Sequence, residues 1–190
     1  MLYVRTKSQG FTLIEIVVVV VILGVLAVTA APRFLSFKTD ARISALEGIA
    51  ASLDTATSLI QSKAVIMGKE NQLMGTTLAF DNISLTIYNQ GVPREVWNGG
   101  FIQLIEGQFN YLGRAAATMP TLCTNAQMCI IDNLIVENVI TGKGGYGIFF
   151  FPEGKSLSEK DCFAYYAFEL SNVGNGELVY KETGTVTTGC

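Results

Sequence analysis

The sequence predicts an α+β fold in which one long N-terminal helix, membrane-spanning in its first half and amphipathic in its second, packs on an antiparallel β-sheet. Three observations predict it. From Phe11 to Pro32 the only ionisable side chain is Glu15. Downstream, apolar residues recur at three- and four-residue steps as far as Ala64, the mark of a helix with one buried stripe. Beyond Ile83, short runs rich in β-branched and aromatic residues alternate with clusters of Gly and Asn, the mark of strands joined by turns. A striped helix must cover its apolar face, and the later strands offer the surface to do so.

The first segment is long enough to cross a bilayer. About 22 residues at 1.5 Å rise reach roughly 33 Å, against a hydrocarbon core of about 30 Å. A secretory signal would put a small-residue cleavage site after its apolar core. Here Arg5 and Lys7 come first, Gly10 follows, and the apolar run starts at once. A cut at Gly10 would leave that run on the mature chain. Glu15 is costly inside an apolar span and calls for a partner, although its place near the segment's end lowers the cost. Gly24 and Pro32 soften the helix, since glycine weakens it by about 1 kcal/mol and an interior proline removes a hydrogen bond. Lys and Arg flank the span on both sides (Arg5 and Lys7 before, Arg33, Lys38 and Arg42 after), so charge alone does not orient it.

The amphipathic half is carried by Ala41, Leu46, Ile49, Ala50, Leu53, Ala56, Thr57, Ile60 and Ala64 and is expected to end near Met67, with Gly68 as the stop. Ile83 to Tyr88 alternates as a strand. Phe101, Leu104, Ile105, Gln108, Phe109 and Leu112 are spaced for a short second helix over 100–112, ended by Gly113. Further strands are expected over 130–136, 146–151, 162–170 and 177–181, with an extended tail to Cys190.

Bulk composition removes several functions. The chain has 190 residues, net charge −3 and 49% hydrophobic residues, with a mean hydropathy of +0.39, too apolar for disorder and suited to one domain plus an appendage. No Lys/Arg run follows Arg42, so the broad basic footprint of a nucleic-acid binder is absent. There is no His, which excludes His-based triads and mixed Cys/His zinc sites. The four cysteines, Cys123, Cys129, Cys162 and Cys190, lack the two close pairs of an all-cysteine zinc site and read as two disulfides formed in an oxidising compartment. Three pairings are open. The run Gly142-Lys143-Gly144-Gly145-Tyr146-Gly147 precedes a strand where a dinucleotide site needs a helix, so it reads as a turn. No metal, cofactor or catalytic residue is indicated, and an enzyme is not expected.

The cluster Gly10-Phe11-Thr12-Leu13-Ile14-Glu15, with its short basic leader and the apolar run through Gly24 to Pro32, resembles the type IV pilin signature. Residues 17–35, VVVVVILGVLAVTAAPRFL, together with the FPEGK and CFAYY segments and a terminal cysteine, narrow the resemblance to type IVa pilins of the mannose-sensitive haemagglutinin class. The resemblance implies residues 1–10 as a leader removed by a prepilin peptidase, with Phe11 as the methylated new N-terminus. It implies 11–32 as the transmembrane and later filament-core helix, and 33–190 as a globular domain with an amphipathic helix over 33–67 and a C-terminal sheet. Glu15 would meet the Phe11 ammonium of a neighbouring subunit and set register, while Gly24 and Pro32 would let the segment fit both lipid and filament. It also favours Cys162 with Cys190, leaving Cys123 with Cys129.

The partners that follow are further copies of the chain, an inner-membrane platform, an assembly ATPase and an outer-membrane secretin. The precursor would sit in the inner membrane with its C-terminal domain periplasmic, then move to an extracellular pilus. The expected role is a major pilus subunit serving adhesion and biofilm attachment. A type II secretion pseudopilin or a minor pilin is the alternative. Major pseudopilins usually carry a calcium site in place of a disulfide loop, and the priming minor subunit commonly lacks the glutamate, so the even cysteine set and Glu15 favour the major pilin.

Overall fold

A computed structural model describes residues 10–71, 75–80, 83–101, 104–114, 116–172 and 176–190. The basic part of the expected leader, residues 1–9, lies outside the described residues. The chain divides into two compact units, 1–41 and 42–190.

In the first unit helix α1, which is Leu13–Ile66 over its full length, starts behind a Thr12 cap. Its window Leu13–Ala30 has a mean hydropathy of 3.0, and none of its side chains is buried. That is long and apolar enough to cross a membrane. The Thr29 hydroxyl donates to the Leu26 carbonyl at 3.0 Å, so this polar group is satisfied within the helix itself. Gly24 and Pro32 both lie inside the bounds of α1. Neither ends the helix.

In the second unit the later turns of α1 bury Leu46, Leu53, Ala56, Thr57, Ile60 and Ala64. These positions follow the predicted stripe. The helix closes on Gly68, whose φ of +62° allows its N–H to reach the Val65 carbonyl at 3.0 Å and the Lys69 N–H to reach Ala64 at 2.8 Å, a paired closure that a side chain would strain.

Two sheets follow. Strands β1 (Thr76–Phe80) and β2 (Ile83–Ile87) form an antiparallel pair whose Leu78, Leu85 and Ile87 pack with Ile60 and Ala64. Strands β3 (Phe109–Gly113), β4 (Met128–Ile135), β5 (Tyr146–Pro152), β6 (Phe163–Leu170) and β7 (Leu178–Val186) form a five-stranded sheet in that order. Pairing is antiparallel from β4 to β7, while β3 joins β4 in parallel.

Both faces of the larger sheet are covered. Ile130, Ile148, Phe150, Tyr166 and Phe168 pack with Leu46 and Leu53 of α1 and with Trp97 and Phe101. The alternate residues Ile131, Phe149, Phe151, Phe163 and Tyr165 pack on the other side with Met119, Val136, Val139 and Leu157 from the loops. This explains why Ile148 to Phe151 is apolar without alternation: every side chain there is wholly buried.

The expected helix over 100–112 is not formed. Among its described residues, one turn follows Phe101, with the Leu104 and Ile105 N–H groups reaching the Phe101 carbonyl, and Phe109 to Leu112 belong to β3. Gly107, at φ +157°, takes a backbone conformation closed to helices. The three-four spacing was satisfied by one turn, and pairing with β4 decided the rest.

Candidate functional site

The N-terminal site begins with Gly10 and Phe11, both exposed, Phe11 at 83%. Thr12 and Glu15 then cap α1 reciprocally. The Glu15 N–H donates to the Thr12 hydroxyl oxygen at 3.4 Å, while the Thr12 N–H and hydroxyl both donate to Glu15 Oε2 at 2.8 Å. This T-x-x-E box satisfies otherwise open N–H groups at the helix start. The T-x-x-E spacing is legible in the sequence as Thr12 and Glu15. Glu15 therefore has a local partner in the single chain. Behind it the helix presents Val, Ile and Leu in every direction, and none of these side chains is buried by the described residues.

At the far end of the chain Cys162 is bonded to Cys190, with Cα atoms 4.9 Å apart, and Cys123 to Cys129 at 5.4 Å. The first bond ties the tail to the start of β6. Arg42 of α1 holds the same tail, donating from Nη1 to the Cys190 carbonyl at 3.1 Å and from Nη2 to the Glu153 carbonyl at 2.8 Å. The Gly189 N–H adds a bond to the Asp161 carbonyl at 2.8 Å. The smaller loop is tied to the β5–β6 connection: the Cys123 N–H donates to Lys155 and the Gly154 N–H to Cys123, at 2.8 and 2.9 Å. Edge strand β7 meets α1 through Lys181 Nζ, which donates to Gln61 Oε1 at 2.7 Å. The hydrogen-bonded clamps carry no sequence signal, because each joins residues at least 28 positions apart.

Sequence reasoning also missed two interior carboxylates. Asp132 is fully buried and accepts from the Trp97 N–H at 2.6 Å and the Tyr111 hydroxyl at 2.9 Å, with Arg114 Nε at 3.5 Å. Glu95 is 1% exposed and accepts from the Tyr88 hydroxyl at 3.4 Å. Burial pushes both carboxyls above the usual carboxylate range, and burial with the Glu95 charge pushes the Tyr88 phenol up to about 12. Among the described residues no group of three or more acidic or cysteine side chains is arranged to hold a metal.

Comparison with known proteins adds to the N-terminal site. Residues 5–31 match the family described as the prokaryotic N-terminal methylation motif, a span that includes Gly10, Phe11, Glu15 and Gly24 and stops one residue before Pro32. The chain is similar to the type II secretion system core protein G of Pseudomonas aeruginosa, 48% identical over 54 residues that cover 26% of this chain and 38% of that protein. It is also similar to the type IV narrow pilus major component PilA5 of Thermus thermophilus, 34% identical over 61 residues that cover 31% of this chain and 53% of that protein. The chain thus spans between about two fifths and about half the length of these curated relatives. No solved structure matches it.

Proposed function

Because the chain is type IV pilin-like, we propose that it is the major structural subunit of a type IV pilus, polymerising through its N-terminal helix into a surface filament that mediates attachment. It acts by assembling and not by catalysing a reaction. The observation that carries this reading is the uncovered helix over 13–30, joined to a methylation motif. An apolar surface of that length is stable only in lipid or against other apolar chains. Lipid serves the precursor and copies of the chain serve the filament.

Processing after Gly10 by a prepilin peptidase frees the Phe11 ammonium. On entering the filament core Glu15 exchanges its Thr12 bonds for the ammonium of a neighbouring subunit, a pairing that gains strength in low dielectric and fixes register. The globular domain, tied by Cys162–Cys190 and by Arg42, is carried outward for display. An inner-membrane platform, an assembly ATPase and an outer-membrane secretin complete the machinery.

The test is a sheared surface fraction, its dominant band and the mass of that band's first peptide. The reading expects this chain as the main component, beginning at N-methylated Phe11, and fewer filaments from Glu15→Val. A chain absent from the fraction or present in traces overturns the major-subunit role.

A second reading has support of its own. The 48% identity with core protein G favours a subunit of a secretion pseudopilus. Deleting the gene separates the two: loss of secreted enzymes with surface filaments intact favours the pseudopilus, and the converse favours the pilus.

A further inference from the structure

A cavity of about 470 Å³ opens in the globular unit beside the buried carboxylates. It lies beside a bulge in β4. Ile131 pairs with Phe149 and the next pair is Leu134 with Gly147, so β4 holds one residue more than β5 across that interval. Asn133 takes a left-handed backbone there, at φ +51°, and lines the cavity. Bulges of this kind redirect side chains and gather near binding sites.

The walls are uneven in charge. Glu95 lies deep, Glu169 is half-buried nearer solvent, and Arg94 is exposed, leaving one negative charge in excess. Tyr88 and Phe168 stand with ring centroids 5.2 Å apart, and Tyr146, at 36% exposed, adds a third ring. The Glu95 carboxylate is held by its own backbone N–H, by the nearby Arg94 charge and by one side-chain bond. Its side-chain bond, from the Tyr88 hydroxyl, is 3.4 Å long, against about 2.5 to 3.0 Å for a good O–H···O bond. The Arg94 charge reaches the phenol and the Glu95 carboxylate alike. A buried carboxylate with one long side-chain bond, in a cavity that a second carboxylate also lines, favours a ligand that brings both positive charge and N–H donors.

We propose that this cavity binds a primary ammonium group on a short apolar stem, the ammonium donating to Glu95 and the stem lying against Tyr146 and Ile135. Glu169 adds attraction at the mouth, and the aromatic faces suit a cation. A hard metal ion fits poorly, because it needs several converging oxygens. A quaternary ammonium lacks the N–H donors that Glu95 calls for. Two sources supply this chemistry, a free alkylamine or the lysine side chain of another protein. Burial already holds Glu95 above the usual carboxylate range, so an ammonium that stabilises its charged form should bind more weakly as the pH is lowered.

The test is saturation-transfer NMR on the full chain in detergent micelles, titrated with n-butylammonium, Nα-acetyl-lysine amide, tetramethylammonium and n-butanol. Saturable binding of butylammonium, with at least fivefold tighter affinity than butanol or tetramethylammonium, is expected. Glu169→Gln should weaken it at least threefold, and Glu95→Gln at least tenfold. Glu169 lies near the surface, so its variant keeps the test valid should Glu95→Gln fail to fold. If acetyl-lysine amide displaces butylammonium, the ligand is a protein lysine; if butylammonium alone binds, it is a free amine. Butanol binding as well as butylammonium, no saturable binding of either amine, or unchanged affinity in Glu169→Gln would overturn the site. None of these outcomes bears on whether the chain forms filaments.

Discussion

The two halves of α1 are built from much the same apolar residues and meet opposite fates. Over residues 13–30 the helix is apolar apart from Glu15 and Thr29, and none of its side chains is buried by the described chain. After Arg42 one stripe is apolar, and Leu46, Leu53 and Ile60 are buried to within 1% exposure. The second half has found its cover inside the chain, whereas the first must find it elsewhere. In the proposed role, the surface that the fold leaves open is the one that assembles.

Truncations in the two halves should break this symmetry most visibly. Leu53→Ala removes a wholly buried side chain and should cost about 2–5 kcal/mol of domain stability, read as a lower urea midpoint. Val20→Ala, on the uncovered half, should leave the midpoint unchanged and lower filament yield instead. Equal midpoints for the two variants would contradict the division.

The disulfides come next. Cys190→Ser opens a bond closing 28 residues and should cost roughly 3.5 kcal/mol by the chain-entropy account, against roughly 2.3 kcal/mol for Cys129→Ser, whose bond closes 6. Thermal unfolding of each variant gives the order. The reverse order would mean that native-state contacts, such as those of Arg42 with the tail, outweigh loop closure.

Val20→Lys sharpens the other side. A lysine near the centre of a spanning helix costs about 2.5–3.5 kcal/mol on insertion scales, so more of the chain should be released by alkaline extraction of membranes. Unchanged retention would mean that the segment does not span.

The smallest effect is a pH dependence in the packed unit. Glu95 and Asp132 have folded-state pKa values raised by burial, so the folded state holds more protons than the unfolded one, whose carboxyls titrate near about 4. Their ionisation lowers stability as pH rises through the window above that value, and acidification through the same window restores it. Glu95→Gln lacks its share of this response. Urea midpoints of wild type minus variant should therefore rise between pH 7 and pH 4. Glu182 and Glu159, whose pKa values are lowered by lysine partners, change stability in the opposite sense and cancel in the difference.

The elements legible in the sequence were those whose signal is local. Glu15 in an apolar run, the stripe ending at Ala64 and the stop at Gly68 each follow from neighbours within one or two turns. Strand β1 and the parallel placing of β3 were not legible. Thr76-Thr77-Leu78-Ala79-Phe80 has a weak pattern of its own and forms by pairing with β2, and β3 was disguised by a helical spacing that Gly107 interrupts. Arg42 and Asp132 look like ordinary surface charges until the fold brings the tail to one and Trp97 and Tyr111 to the other.

The central claim is that residues 13–30 leave lipid to be covered by copies of the same chain. A side-chain-resolution reconstruction of the filament tests it most directly. The account predicts these residues buried along the filament axis against neighbouring subunits, with Glu15 facing a neighbour's Phe11 ammonium. Filaments in which this segment is solvent-exposed, or which are built from a different chain, would contradict it.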